Sequence, residues 1–124
     1  DLINGSDASA LHNHDSLYAP YQVTTTTTTT VTPIGSFRES EFFITEQNVD
    51  LTFNAPSAIA VQGNIVYFRV KDDGTARALT FNPIYRSMQD PLPTATVPDK
   101  YRRLAFEYND EDIKWDLIGI NNEA

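Results

Sequence analysis

From Pro33 onward, apolar residues recur at the two-residue spacing of strands, and no stretch holds the 3.6-residue spacing of a long amphipathic helix. Val49, Leu51 and Phe53 alternate with polar neighbours, and Phe37–Thr45 contains the run Phe42, Phe43, Ile44. In Asn64–Lys71 one face takes Val66, Phe68 and Val70 and the other takes Tyr67, Arg69 and Lys71. Asp72-Asp73-Gly74 and then Thr75–Phe81 follow, with Leu79 and Phe81 sharing a face, a pattern that predicts a tight hairpin. A second hairpin is expected from Tyr101–Tyr108, where Leu104, Phe106 and Tyr108 align, through a turn at Asn109–Asp112 to Ile113–Ile120. In that return strand Ile113, Trp115 and Leu117 fall on one face, and Ile118 and Ile120 on the other. Between the hairpins, Asn82–Asp99 holds Pro83, Pro91, Pro93 and Pro98 and reads as an ordered loop or extended crossover. The expected fold is all-β: a small antiparallel β-sandwich or barrel over residues 33–124.

Residues 1–32 break this pattern. They hold three Asp and no Lys or Arg, few large apolar side chains, and the unbroken run Thr24–Thr30 between Val23 and Val31. Threonine is β-branched and favours extended backbone, yet a polythreonine strand shows methyls and hydroxyls on both faces. It buries too little apolar surface to offset the entropy of ordering it. The segment is therefore expected to be either a Thr-rich linker or an extended stem completed by other copies of the chain.

Seventeen acidic against nine basic residues give a net charge of −8, which argues against sequence-independent binding to nucleic acid or anionic membranes. With no cysteine, disulfides and thiolate zinc sites are excluded, so any metal must be held by other ligands. No run of 18 apolar residues occurs, so no membrane-inserted helix is expected.

The two histidines, His12 and His14, stand two residues apart, and in an extended strand such residues point the same way. One chain offers too few ligands for a tight site. Three chains around a common axis would bring two imidazoles each, enough for an octahedral shell around a transition ion. The plainer reading is a pair of exposed histidines in a tail. The stretch Ala10-Leu11-His12-Asn13-His14-Asp15-Ser16-Leu17-Tyr18 resembles the His-x-His-Asp-x-x-Tyr segment that recurs in the stems of tailed-bacteriophage fibres. That resemblance implies a homotrimer with His12 and His14 ligating iron, zinc or nickel on its threefold axis. Gly63-Asn64-Ile65, Arg69–Leu79, Asn82-Pro83-Ile84-Tyr85-Arg86, Leu92-Pro93-Thr94 and Lys114-Trp115-Asp116-Leu117 are similar to a β-domain found at the C-terminal end of phage tail fibres and related virion proteins. The two similarities imply a viral structural protein, located in the virion and extracellular when mature.

Enzyme chemistry finds little support in the pattern. The neighbouring carboxylates Asp72-Asp73 and Asp110-Glu111-Asp112 could in principle serve glycoside hydrolysis, but both clusters fall in expected turns, where Asp favours local backbone hydrogen bonds. A Ser-His-Asp arrangement is disfavoured because both histidines lie in the segment without a core. Arg69, Arg77, Arg86, Arg102 and Arg103 with Tyr67, Tyr85, Tyr101 and Trp115 could form a sugar- or protein-binding surface, arginine and aromatics being frequent binding anchors. The plainer alternative is that the cations screen the sheet and the aromatics fill the core. The expectation is thus a non-enzymatic, trimeric fibre component whose 1–32 stem carries a β-domain that contacts other virion proteins and a glycan or protein receptor on the host surface during attachment. The alternative is a structural virion protein, decorating the capsid or attaching a fibre, that touches no receptor.

Overall fold

The computed structural model describes residues 21–124. It is all-β among those residues, with nine strands in two sheets. The chain winds between the sheets. β1 (Tyr21–Thr25), β3 (Glu39–Gln47) and β5 (Ile65–Asp72) lie side by side in the larger sheet; β2 (Thr30–Val31), β4 (Leu51–Phe53) and β6 (Leu79–Phe81) form the smaller one. Each visit to a sheet lays a new strand parallel to the last, so Val23 pairs with Phe42 and Phe42 with Phe68 in one sheet, while Leu51 pairs with Leu79 in the other. This is a flattened parallel coil. Beyond it the direction changes: β8 (Tyr101–Asn109) runs antiparallel to β5, β9 (Lys114–Asn122) antiparallel to β8, and the short β7 (Tyr85–Arg86) closes the far edge parallel to β9.

The second expected hairpin forms as β8 and β9, whereas the first does not. Among the described residues, antiparallel pairing, expected throughout, is confined to β5, β8 and β9 and to a lone bridge between Ala78 and Ala95. β5 and β6 belong to different sheets and face each other across the core. The physical reason lies at Asp72, whose buried carboxylate accepts hydrogen bonds from the Gly74 amide (3.0 Å), the Thr96 hydroxyl (2.6 Å) and the Asp99 amide (2.8 Å). The Asp-Asp-Gly corner is thereby turned out of the large sheet toward the proline-rich loop, and Leu79 and Phe81 reach the core from the opposite layer. Two alternating segments separated by a turn look the same in sequence whether they pair or face each other.

The stem expected over residues 1–32 also needs revision at its C-terminal end. Residues 21–32 belong to the folded unit: β1 pairs with β3, and Val31 is fully buried (0% exposed). The threonine run supplies the end of β1, a bend, and the start of β2. What fixes it is Gln47, fully buried, whose amide nitrogen donates to the carbonyls of Thr28 (2.6 Å) and Val49 (2.8 Å) and whose amide oxygen accepts from the Thr28 N–H (3.1 Å). A single side chain thus pairs both backbone groups of the half-buried Thr28.

Between the sheets sits an aromatic cluster. Phe53 stacks on Phe81 at 4.4 Å within the small sheet and meets Phe68 of the large sheet at 4.6 Å, while Tyr85 meets Phe106 at 4.9 Å. Val66, Phe68, Val70, Leu104 and Phe106 face inward as their alternation predicts. In β9 the alternation slips. A bulge opposite Ala105 and Phe106 leaves Ile118 as the extra residue, 52% exposed, and beyond it Ile120 packs against the core rather than on the opposite face. Ile113, expected beside Trp115, instead occupies the turn with φ +56° and lies 63% exposed.

Two outcomes are expected. Gln47→Leu removes the partner of the Thr28 N–H and carbonyl and lowers stability by about 1–2 kcal/mol in chemical denaturation, because each net hydrogen bond of half-buried groups contributes about 0.5–1.5 kcal/mol. Burial pushes the Asp72 pKa up, but the hydrogen bonds from Thr96, Asp99 and Gly74 outweigh it and hold the carboxyl below its ordinary 3.8. The unfolded chain then binds this proton more readily than the folded one, so the stabilisation from Asp72 is full above pH 3.8 and is lost as pH falls through the folded value. Denaturation of wild type and Asp72→Asn should differ by about 2–3 kcal/mol at neutral pH, with the gap narrowing below pH 3.8.

Candidate functional site

The arginine and aromatic residues singled out from the sequence separate into two sets. Tyr85 and Trp115 are core residues: the Tyr85 hydroxyl donates to the Asn54 carbonyl at 2.7 Å, and burial pushes its pKa up. Trp115 lies against Gly35, where an added Cβ would meet the indole at 2.8 Å. Arg77 pairs with Asp73 at 2.8 Å. Arg86 grips Asp116 at 2.7 Å and Asp112 at 3.1 Å, and these two hydrogen-bonded carboxylates raise its pKa. Arg102 donates to the Ala95 carbonyl at 2.6 Å, and burial lowers its pKa. Arg77 closes the turn that follows β5, Arg86 ties β7 to β9 and to the 110–113 turn, and Arg102 ties β8 to the proline-rich loop.

The remaining four, Tyr67, Arg69, Tyr101 and Arg103, come together on the outer face of the large sheet, joined by Phe43, Lys71 and Glu41. Strand alternation puts them there: Val66, Phe68, Val70 and Leu104 point inward, so Tyr67, Arg69, Lys71 and Arg103 must point outward. The register then places Phe43 beside Arg69, Arg69 opposite Arg103, and Lys71 opposite Tyr101.

Each cation covers a ring. The Arg69 guanidinium lies 4.8 Å from the Phe43 centroid, Arg103 4.6 Å from Tyr67, and the Lys71 ammonium 5.1 Å from Tyr101, while Phe43 meets Tyr101 edge-on at 5.4 Å. Such contacts contribute about 0.5–1 kcal/mol each at exposed sites. They also hold the guanidinium planes in place. Glu41 Oε2 lies 3.3 Å from Arg69 Nη2 and 3.8 Å from Arg103 Nη2, and Glu39 accepts the Tyr67 hydroxyl at 3.3 Å. Burial of the Tyr67 phenol, with the nearby Glu39 charge and hydrogen bond adding to it, raises its pKa, so the hydroxyl stays protonated and remains a donor.

Small side chains hollow out the middle of this face. Ala105 sits opposite Gly119, and a Cβ built on Gly119 meets nothing within 4 Å. A cavity of about 50 Å³ there is lined by Tyr67, Arg103, Ala105, Gly119 and Asn121. A wider depression of about 250 Å³, bordered by Arg69, Tyr101, Arg103 and Asn121–Glu123, adjoins it through the shared Arg103 and Asn121.

The carboxylate clusters follow the turn chemistry expected of them. Asp72 is saturated by its corner, Asp73 accepts from Thr75 and Arg77, and Asn109 caps the 110–113 turn by accepting from the Glu111 and Asp112 amides. His12 and His14 lie outside the described residues; among those described, no group of three or more His, Cys, Asp or Glu is placed to hold a metal ion. The sequence missed Phe43 and Glu41 as members of the face, and the hollow at Gly119 most of all. A glycine in a strand, one residue past exposed Ile118, was the signal available. Compared with known proteins, the chain matches no protein-family model and no curated protein.

Proposed function

We propose that this chain is a non-enzymatic component of a bacteriophage fibre, a homotrimer whose β-domain contacts the host surface during attachment. The observation that carries the binding half of this reading is the outer face of the large sheet: arginines and a lysine laid over three aromatic rings, beside a small hollow that Tyr67 and Arg103 help to line, on the side of the sheet away from the core. Arginine and tyrosine together in a half-exposed patch are the residue types that dominate binding surfaces. The fibre half rests on the similarity of Ala10–Tyr18 to fibre stems. Under this reading His12 and His14 from three chains would enclose one iron, zinc or nickel ion, which would lock the threefold register without taking part in any reaction.

A second reading is a structural virion protein that binds other virion components. It draws on a different patch. Ile59 (87% exposed) and Val61 (62%) occupy a loop held beside the 110–113 turn by the Gln62 side chain, which accepts from the Asp110 amide at 2.7 Å, and that turn presents Ile113. Exposed aliphatic residues gathered on adjoining loops suit protein contact.

Mass determination joined to metal analysis tests the assembly: one ion per three chains is expected, and lost in the His12→Ala/His14→Ala double variant, whereas a stable monomer at micromolar concentration overturns the trimer. Incubation with bacterial cells tests the role. Saturable binding that Arg103→Gln weakens supports attachment; binding to virions alone, weakened by Val61→Ser, supports the second reading.

A further inference from the structure

The large sheet ends in two open edges. Among the described residues β1 pairs with β3 alone, and residues 119–122 of β9 pair with β8 alone, since β7 reaches only as far as Asp116. Edge strands ordinarily carry a charge, a proline or very few residues, because exposed backbone groups template pairing with another chain. The shorter edges obey that rule. β2 and β7 have two residues and β6 three, Pro33 and Pro83 stand just past β2 and β6, and β7 holds Arg86. The bulge at Ile118 interrupts β9 only up to that point. Beyond it Gly-Ile-Asn-Asn carries no charge, and neither does Tyr-Gln-Val-Thr-Thr of β1, in a chain whose net charge is −8.

We infer that these two edges meet between copies of the chain: β1 of one copy adds to β9 of the next, and three such seams close the homotrimer. Direction fits. β8 runs against both β5 and β9, so β9 points the same way as β1, and rotation about an axis along the strands preserves this; the seam then extends the parallel pairing of β1 with β3. Two different edges joined head to tail make a ring, which is how a threefold contact closes. Parity fits as well. Setting residues 22–25 beside 119–122 puts Val23 next to Ile120 on the core side, where their ladder partners Phe42 and Leu104 lie, and Thr24 next to Asn121 on the outer side with Phe43 and Arg103. Each edge borders a hollow that its neighbour's strand would cross: about 100 Å³ lined in part by Val23, Ile34 and Phe42 at β1, and about 580 Å³ lined in part by Leu92, Arg102 and Ile120 at β9. The lack of charge on both edges lets copies of an acidic chain join there without setting like charges side by side. This inference rests on the trimer of the fibre reading and names the surfaces that close it.

The chain has no cysteine, so Thr24→Cys and Asn121→Cys introduce its only thiols. Within one copy they lie about 19 Å apart, across four strand spacings, and a bis-maleimide shorter than that links them only between copies. The full-length chain with both cysteines should give a covalent trimer, and either single-cysteine chain should give no linked product. Thr24→Asp/Asn121→Asp sets two carboxylates side by side at every seam, whereas Thr24→Lys/Asn121→Asp sets opposite charges there; the first should dissociate at a concentration at least about tenfold higher than the second. Both residues are exposed, and recovery of the trimer with the opposite charges separates loss of the seam from loss of the fold. Equal dissociation of the two variants overturns the inference. Dimers from Thr24→Cys alone place β1 against another β1, and products longer than three copies make the contact an open filament; both results overturn it too. A wild-type trimer that the cysteines fail to link, with residues 1–20 or another contact covering β1, overturns the seam while the fibre reading stands. A wild-type monomer at micromolar concentration overturns both.

Discussion

Every time this chain changes sheets it leaves one hydrogen-bond ladder before joining the next, and the backbone groups at that corner need new partners. A plain sandwich of hairpins meets this problem at solvent-exposed turns, whereas a coil that alternates layers meets it at the rim of the core. The buried polar residues sit where that need arises. Gln47 serves Thr28 where β1 passes to β2, Ser40 donates to the Ile34 carbonyl and Asn64 to the Gly35 carbonyl where the chain returns to the large sheet, and Asp72 collects amides where β5 gives way to β6. Without them the two layers could still share an aromatic core, but the crossings would lose the side chains that hold them.

That arrangement explains which parts of the fold were legible in the residue order. Strand positions and inward faces were, because alternation at Val66, Phe68 and Val70 or at Leu104 and Phe106 reports burial directly. The partner of each strand was not. Leu79 and Phe81 satisfy the same pattern whether they lie beside β5 or across from it, and the choice is made by the carboxylate of Asp72 reaching Thr96 and Asp99, far away in sequence. The threonine run misled for a related reason. It has almost no apolar surface of its own, yet it needs little, since Gln47 and the edge of β3 supply what a homopolymer cannot. The slip in β9 was invisible because a bulge adds one residue without any distinctive composition, leaving Ile118 outside and carrying Ile120 inside.

The outer face was legible as a list and not as a place. Arginines and tyrosines stood out in the sequence, but core and surface members were mixed: Tyr85 and Trp115 hold the interior, whereas Tyr67 and Tyr101 carry cations on the exterior. Parity along a strand sorts them once the inward set is known. What parity could not give was Glu41 between two arginines, because that depends on β3, β5 and β8 lying in adjacent order, with β3 parallel and β8 antiparallel to the strand between them.

The winding also governs how the domain can assemble. Among the described residues only the β8–β9 ladder joins neighbours in sequence, closing at Asn109 and Lys114; the others bring together segments such as Tyr21 with Ser40 or Ile65 with Glu107. Loop-closure entropy makes those distant pairings slow, so the local hairpin is the natural nucleus. β5 then adds to its edge, β3 to β5, and β1 to β3, each step templated by the strand before it. On this order the threonine crossover would be the last piece to lose its freedom.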